Sequence, residues 1–258
     1  MRGAIWVRAV LEHARAVPDL PASVIALDGA IEARPYRAIA VVPNAAARFP
    51  RARGGEFGLD EGLAVARAVR GAPAEAAILS IVDVPGQAFG RREEAAGLHL
   101  SLAAAVEAYI GERRRGRPLF SLIVGRAISG AFLAHGMQGG WLGALRDRGV
   151  EVHVMSAPSV ARVTRSSDGE VARIATVVPA TARDVATFAH FGALDELFDV
   201  ADPLAPTPQE IERVRAAIGE AHRVGLGTRA PSSRLETPAA ATGRALARNV
   251  RRRIDEAW

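Results

Sequence analysis

Two short segments of the 258-residue sequence have residue types and spacings suited to chemistry at a carbonyl or carboxylate oxygen. The first is Asp83-Val84-Pro85-Gly86-Gln87-Ala88-Phe89-Gly90, which follows an apolar run at residues 77–82. A Pro-Gly pair at a strand end turns the chain tightly, because proline fixes φ and glycine tolerates a positive one. Such turns leave backbone N–H groups facing the crevice where open α/β sheets bind ligands. The second is Gly125-Arg126-Ala127-Ile128-Ser129-Gly130-Ala131-Phe132-Leu133-Ala134-His135-Gly136, which follows the apolar run 119–124. A helix opening at Ser129 or Gly130 would present N–H groups with no intrahelical partner at the positive end of the helix dipole. Gly130 and Ala131 have little bulk, so a ligand oxygen can come close to those amides. That is the chemistry of an oxyanion hole, which holds a developing enolate or a carboxylate. The same small residues also suit an ordinary turn and close packing of helix on sheet, and spacing alone leaves that alternative open.

Other chemistry finds less support. The six histidines, His13, His99, His135, His153, His190 and His222, include no pair at i, i+4, and there is no cysteine. A zinc or iron–sulfur site is therefore not expected. His135 would lie one or two turns into the second helix, facing either the crevice or the core. Glu93-Glu94 fits the acidic preference of a helix start and is a weaker acid–base candidate. No Gly-x-Ser-x-Gly elbow, Walker loop or Gly-x-Gly-x-x-Gly fingerprint is present. That argues against elbow-type serine hydrolases, P-loop NTPases and standard Rossmann dehydrogenases.

The elements that must hold these segments follow from the apolar pattern. Runs at 38–42, 77–82 and 119–124 read as buried strands, and 141–145 and 152–155 as two shorter ones. Helices are expected at 5–16, 59–69 and 92–115, the last with Gly116 where a C-cap belongs. Strands alternating with helices predict an α/β chain with a largely parallel sheet covered on both faces. Thr207-Pro208-Gln209-Glu210 has the cap, the proline and the acid of a helix start, and Thr237-Pro238 repeats the first two ahead of a helix at 239–257. Residues 223–236 read as a Gly/Pro/Ser-rich loop. We expect one domain over 1–258, with its core at about 35–200 and a helical C-terminal region at about 206–258.

Charge and composition narrow the class. Hydrophobic residues are 49% and charged residues 24%, an ordinary globular balance. The 33 Lys+Arg are all arginine and outnumber the 28 Asp+Glu by five, so the high isoelectric point follows from the absence of lysine. Aromatic residues are only 5%, too few for base-stacking platforms, and nucleic acid is not an expected partner. No run of about 18 apolar residues spans a membrane, and the N-terminal residues carry charge throughout. Without cysteine, a cytoplasmic location is expected.

Taken together, Asp83 to Glu94, Val124 to Gly136, Val152-His153-Val154-Met155 and Ser159 to Thr164 resemble the gamma subunit of biotin-independent malonate decarboxylase. The resemblance covers roughly residues 35–200, with the blocks in family order. It departs from the family pattern at Arg126, where lysine is usual, and at Val84, where threonine is common. It implies the crotonase (ClpP-like) fold of repeated ββα units, here with helical N- and C-terminal extensions. Beta and gamma subunits would correspond to the two halves of an acyl-CoA carboxyltransferase, with the active site between them. The substrate would be malonyl thioester on an acyl carrier protein, whose prosthetic group is phosphoribosyl-dephospho-CoA. The products would be acetyl thioester and carbon dioxide. No metal, no biotin and no cofactor bound directly to this chain would be needed.

The implied partners are the beta subunit and the acyl carrier protein, with room for an acyl carrier transferase subunit. Carried over by motif, the amides of Gly130, Ala131 and Gly86 would be the catalytic donors. Gln87, Ala88, Ser129, Phe132 and His135 would line the substrate. The donor of the proton that the enolate needs stays open among His135, His153 and water. Other acyl-CoA enzymes of the same fold, and a purely structural subunit, remain the competing readings.

Overall fold

The computed structural model describes residues 2–178 and 181–258. Among them, eight strands form one mixed sheet: β1 (Glu12–Ala16), β2 (Val24–Ile31), β3 (Arg34–Val41), β4 (Ala77–Val84), β5 (Leu119–Ile128), β6 (Trp141–Arg146), β7 (Glu151–His153) and β8 (Glu196–Asp199). Their order is β1-β2-β3-β4-β5-β6-β8, and β7 pairs with β5. The pairs β1–β2 and β2–β3 are antiparallel, and the later pairs are parallel. β4 and β5 are buried over almost their whole length, which is why they read as continuous apolar runs instead of alternating ones.

The helices cover this sheet. They are α1 (Arg2–Ala9), α2 (Leu59–Arg70), α3 (Arg91–Ala95), α4 (Leu98–Arg114), α5 (Ser129–His135), α6 (Ala157–Thr164), α7 (Asp168–Val177), α8 (Val185–His190), α9 (Pro208–Arg223), α10 (Pro238–Gly243) and α11 (Ala245–Ala257). α1 packs on β2 to β5, and α2 packs on β2 and β3 with α4 against it. Trp6 of α1 is fully buried and its Nε1–H donates to the Pro203 carbonyl at 2.9 Å. Val214 and Ile218 of α9 join the same core. The packed core therefore draws on residues outside the expected 35–200 on both sides.

β5 positions the site. Its first half pairs with β4 and β6, with Ile123 opposite Val82 on one edge and Ala144 on the other. It then outruns β6, and Arg126 to Ile128 pair with β7. Straight from that extension the chain enters α5. At the same end, the register with β4 shifts between Val82 and Val84, where Asp83 turns its carboxylate across the gap. Asp83 Oδ1 accepts the Arg126 N–H at 3.1 Å, and Oδ2 accepts the Gly3 N–H at 3.4 Å. A side chain at Gly125 would collide with Asp83 Oδ1, so glycine there is what admits the carboxylate.

Three expected elements differ. The helix predicted over 5–16 stops at Ala9, and Glu12–Ala16 is an edge strand, so the N-terminal extension is helical only in part. The exposed sequence EHARA has little strand propensity; pairing with the free edge of β2 decides its state, through a register shift between Glu12 and Arg15. The helix predicted over 92–115 breaks at Gly97, whose φ of +93° starts α4 anew. The helix predicted over 239–257 breaks at Arg244, and the preceding loop contains two 3-10 turns. β8, four residues with a single buried side chain, had no readable pattern. The capping box at Thr207 and Glu210 and the Thr237 cap form as expected.

His135 belongs to this core. It is fully buried, its Nδ1 shares a hydrogen bond of 2.9 Å with the Tyr109 hydroxyl, and that hydroxyl is 2.9 Å from Ser80 Oγ. Burial pushes its pKa down to about 4, against the opposing pull of the Ile81 and Ile39 carbonyls. The native ring therefore stays neutral at a pH where the unfolded chain binds a proton, so stability falls as pH drops from about 6.5 to 4. The full loss is about 3 kcal/mol from this ring. Urea unfolding across that interval should show the decline in the wild type and a visibly flatter curve for His135→Gln.

Candidate active site

The two segments singled out by sequence meet at the end of β4 and β5. Pro85-Gly86-Gln87 folds back against Phe57, with the Phe57 N–H on the Gly86 carbonyl at 2.9 Å and the Ala88 N–H on the Phe57 carbonyl at 3.0 Å. Those two bonds fix the turn and leave the Gly86 N–H without an acceptor among the described residues. Gly86 has φ +129°, in the region that favours glycine. A side chain there would meet nothing nearer than Ile128 Cγ2 at 3.9 Å, so the constraint is the backbone angle and not space.

Opposite the turn, β5 becomes α5 in one step. Ile128 is extended and Ser129 takes φ +59°, an unusual value for a residue with a side chain. The N-cap residue Ile128 gives α5 no side-chain cap. The Gly130 N–H donates to Gln87 Oε1 at 3.2 Å. The Ala131 N–H has no acceptor among the described residues, although Ala131 is fully buried. A buried, unpaired backbone donor is costly and therefore rare. Here two successive amides lack a backbone acceptor among the described residues, and a neutral side-chain oxygen covers the first of them.

A cavity of about 650 Å³ opens beside this junction. Ser129, Gly130 and Phe132 form its floor, the end of β7 one wall, and α6, α7 and α8 the other. Phe132 stacks edge-on to Phe188 of α8 at 6.1 Å. The lining is mostly apolar, from Phe132, Leu133, Val160, Val171, Ile174 and Phe188. Its only ionisable residues among those described are His153 and Arg183. Phe89, Leu133 and Val154 are exposed.

The structure brings Gly86, Gln87, Ser129, Gly130, Ala131 and Phe132 to one junction, where Ser129, Gly130 and Phe132 line the cavity and Gly86, Gln87 and the fully buried Ala131 do not. It does not bring in the other two expected residues. His135 is held in the core by Tyr109 and does not line the cavity, and Ala88 is buried against Ala47 and Ala52. Arg183, Phe188 and the α6–α7 wall escaped the sequence reading. They come from a stretch without strong periodicity, and only the tertiary fold carries them over α5. The Glu93 carboxyl is buried at the start of α3 and is likewise absent from the cavity lining.

The model of the malonate decarboxylase gamma subunit matches residues 52–258. The chain belongs to that family. It is 44% identical to a chain of the Pseudomonas malonate decarboxylase hetero-tetramer crystallised with coenzyme A, covering 100% of this chain and 99% of that one at a TM-score of 0.89. Against a chain of the Pseudomonas MdcD–MdcE hetero-dimer the identity is 42% and the TM-score 0.84, with coverage of 100% and 99%. The malonyl-S-ACP:biotin-protein carboxyltransferase MADD of Malonomonas rubra is 32% identical over 69% of this chain, and the match spans 65% of that relative's length. Transcarboxylase 12S, at 18% identity and a TM-score of 0.66 over 84% of this chain and 41% of its own, shares the crotonase-like carboxyltransferase fold alone. No helix among the described residues is long and apolar enough to cross a membrane.

The gamma-subunit site makes a conformational prediction. Gly86→Ala should lower unfolding stability by about 1–3 kcal/mol, since alanine must take a strained backbone angle in open space. Ser129→Gly should leave stability unchanged or raise it, since glycine accepts φ +59° freely. Urea denaturation of the two variants checks both signs.

Proposed function

We propose that this chain supplies half of a decarboxylase active site that a beta subunit completes, and that a malonyl thioester loses carbon dioxide there. The thioester is carried on an acyl carrier protein through a phosphoribosyl-dephospho-CoA arm. The observation that carries this reading is the pair of backbone donors at Gly130 and Ala131, the first covered by Gln87 and the second without an acceptor among the described residues, where β5 turns into α5 beside an apolar cavity that Gly130 lines.

The chemistry asks for little else. Breaking the bond to the carboxyl carbon leaves its electron pair on the thioester as an enolate. Fixed N–H donors lower that barrier, because they need no reorganisation as charge develops on the oxygen. The substrate oxygen takes the place of Gln87 Oε1 on the Gly130 amide, and Gln87 swings aside. Arg183 draws the malonyl carboxylate in, and the surrounding apolar wall strips water from it, which favours loss of the charge as carbon dioxide. The exposed apolar rim at Phe89, Leu133 and Val154 is the surface for the beta subunit.

The likeness to MADD favours a second reading, in which the carboxyl group passes to a biotin-protein acceptor. Carbon dioxide release without any such acceptor separates the two. A side chain at Gly130 would extend toward Gln87 Oε1 and Leu102 Cδ2, both 3.5 Å from its first carbon, which is ordinary contact distance. Gly130→Val should therefore fold and assemble with the beta subunit while its turnover falls about 10²-fold or more. Unchanged turnover in an intact complex would show that the partner supplies all the chemistry.

A further inference from the structure

Decarboxylation leaves a carbon that needs a proton, and the cavity holds one group suited to give it. Its two ionisable lining residues are Arg183 and His153, and of the two side-chain types an imidazole is the one that serves as a general acid. Register places His153 opposite Ile128 across the β5–β7 pair, one residue before Ser129. Paired residues in a sheet send their side chains to the same face. Ile128 is the residue whose Cγ2 faces Gly86, so His153 stands on the face that carries the Pro85-Gly86-Gln87 turn.

The imidazole is built into place. Its side chain is 7% exposed. Nε2 lies 3.3 Å from Glu151 Oε2, two residues back on the same strand. Nδ1 is buried with no hydrogen-bond partner among the described residues. Glu151 is 46% exposed and connects the buried ring to solvent. A carboxylate on one ring nitrogen and a free second nitrogen is the arrangement of an oriented acid–base histidine.

Resting on the reading that a malonyl thioester enters this cavity, we propose that His153 is the catalytic proton donor to the enolate carbon, oriented by Glu151. As carbon dioxide leaves, the electron pair of the broken C–C bond moves into the enolate. The enolate carbon then takes the proton from Nδ1–H of the imidazolium, forming the new C–H bond of the acetyl group. The ring is left neutral with Nε2–H on Glu151. A proton from solvent that returns to Nδ1 restores the imidazolium, so each turnover consumes one proton.

The test uses the full complex with malonyl thioester on its carrier protein, in the presence of ¹³C-labelled bicarbonate. Wild type is expected to turn over without returning label to the malonyl group. His153→Gln should lower kcat about 10²–10⁴-fold with little change in KM. It should also return ¹³C to recovered malonyl thioester, because an enolate that waits for a proton can recapture carbon dioxide. Free imidazole should restore part of the turnover of His153→Ala, whose missing ring leaves a matching space. A His153→Gln complex with near-wild-type kcat, or one whose loss comes through KM with neither label return nor imidazole rescue, overturns the role. A wild-type complex that cannot decarboxylate the malonyl thioester overturns the substrate reading itself. A competent wild type beside an unaffected variant overturns only the role of His153.

Discussion

Everything at the site depends on amides that are fixed in position and yet have no backbone acceptor among the described residues. Secondary structure normally satisfies every buried N–H, so such amides survive only where the chain changes from one element to another. The change from β5 to α5 is abrupt enough to provide this. Ser129 absorbs the turn in a left-handed conformation, and the next two N–H groups emerge with no carbonyl behind them. The Asp83 carboxylate holds the place, tying the end of β4 to the end of β5 and to the start of α1, in a gap that exists because residue 125 has no side chain. The Gly130–Gln87 contact then joins the two segments and covers one donor.

The surroundings make those donors effective. A hydrogen bond to developing charge is stronger where water is excluded. The lining of Phe132, Phe188 and the α6–α7 side chains is mostly apolar, and Arg183 and His153 are its only ionisable residues among those described. No nucleophile is required, in keeping with a chain that has no cysteine and no nucleophile elbow. The chain belongs to the malonate decarboxylase gamma-subunit family and has the crotonase-like carboxyltransferase fold.

How much of this the sequence disclosed depended on the kind of signal. β4 and β5 were legible because burial on both faces makes them continuous apolar runs, and the caps at Thr207 and Thr237 because their chemistry is local. The two halves of the site were legible for the same reason: Pro85-Gly86 and Ser129-Gly130 mark sharp changes of direction. β1 was not, because the edge of β2 imposes its state and its own residues do not. Nor was the cavity wall. Arg183 and Phe188 reach α5 only through tertiary packing, and nothing in their local sequence marks them. His135 could face either way on helical spacing, and the Tyr109 hydroxyl and its burial decided for the core.

The central claim is that catalytic chemistry is shared between this chain and a beta subunit. The most direct measurement is carbon dioxide release from malonyl thioester on its carrier protein, with this chain alone, with the beta subunit alone, and with the two combined. Release from the combination only, without any biotin-protein, is the predicted result. Full release by the beta subunit alone, or none from the combination, would contradict the account.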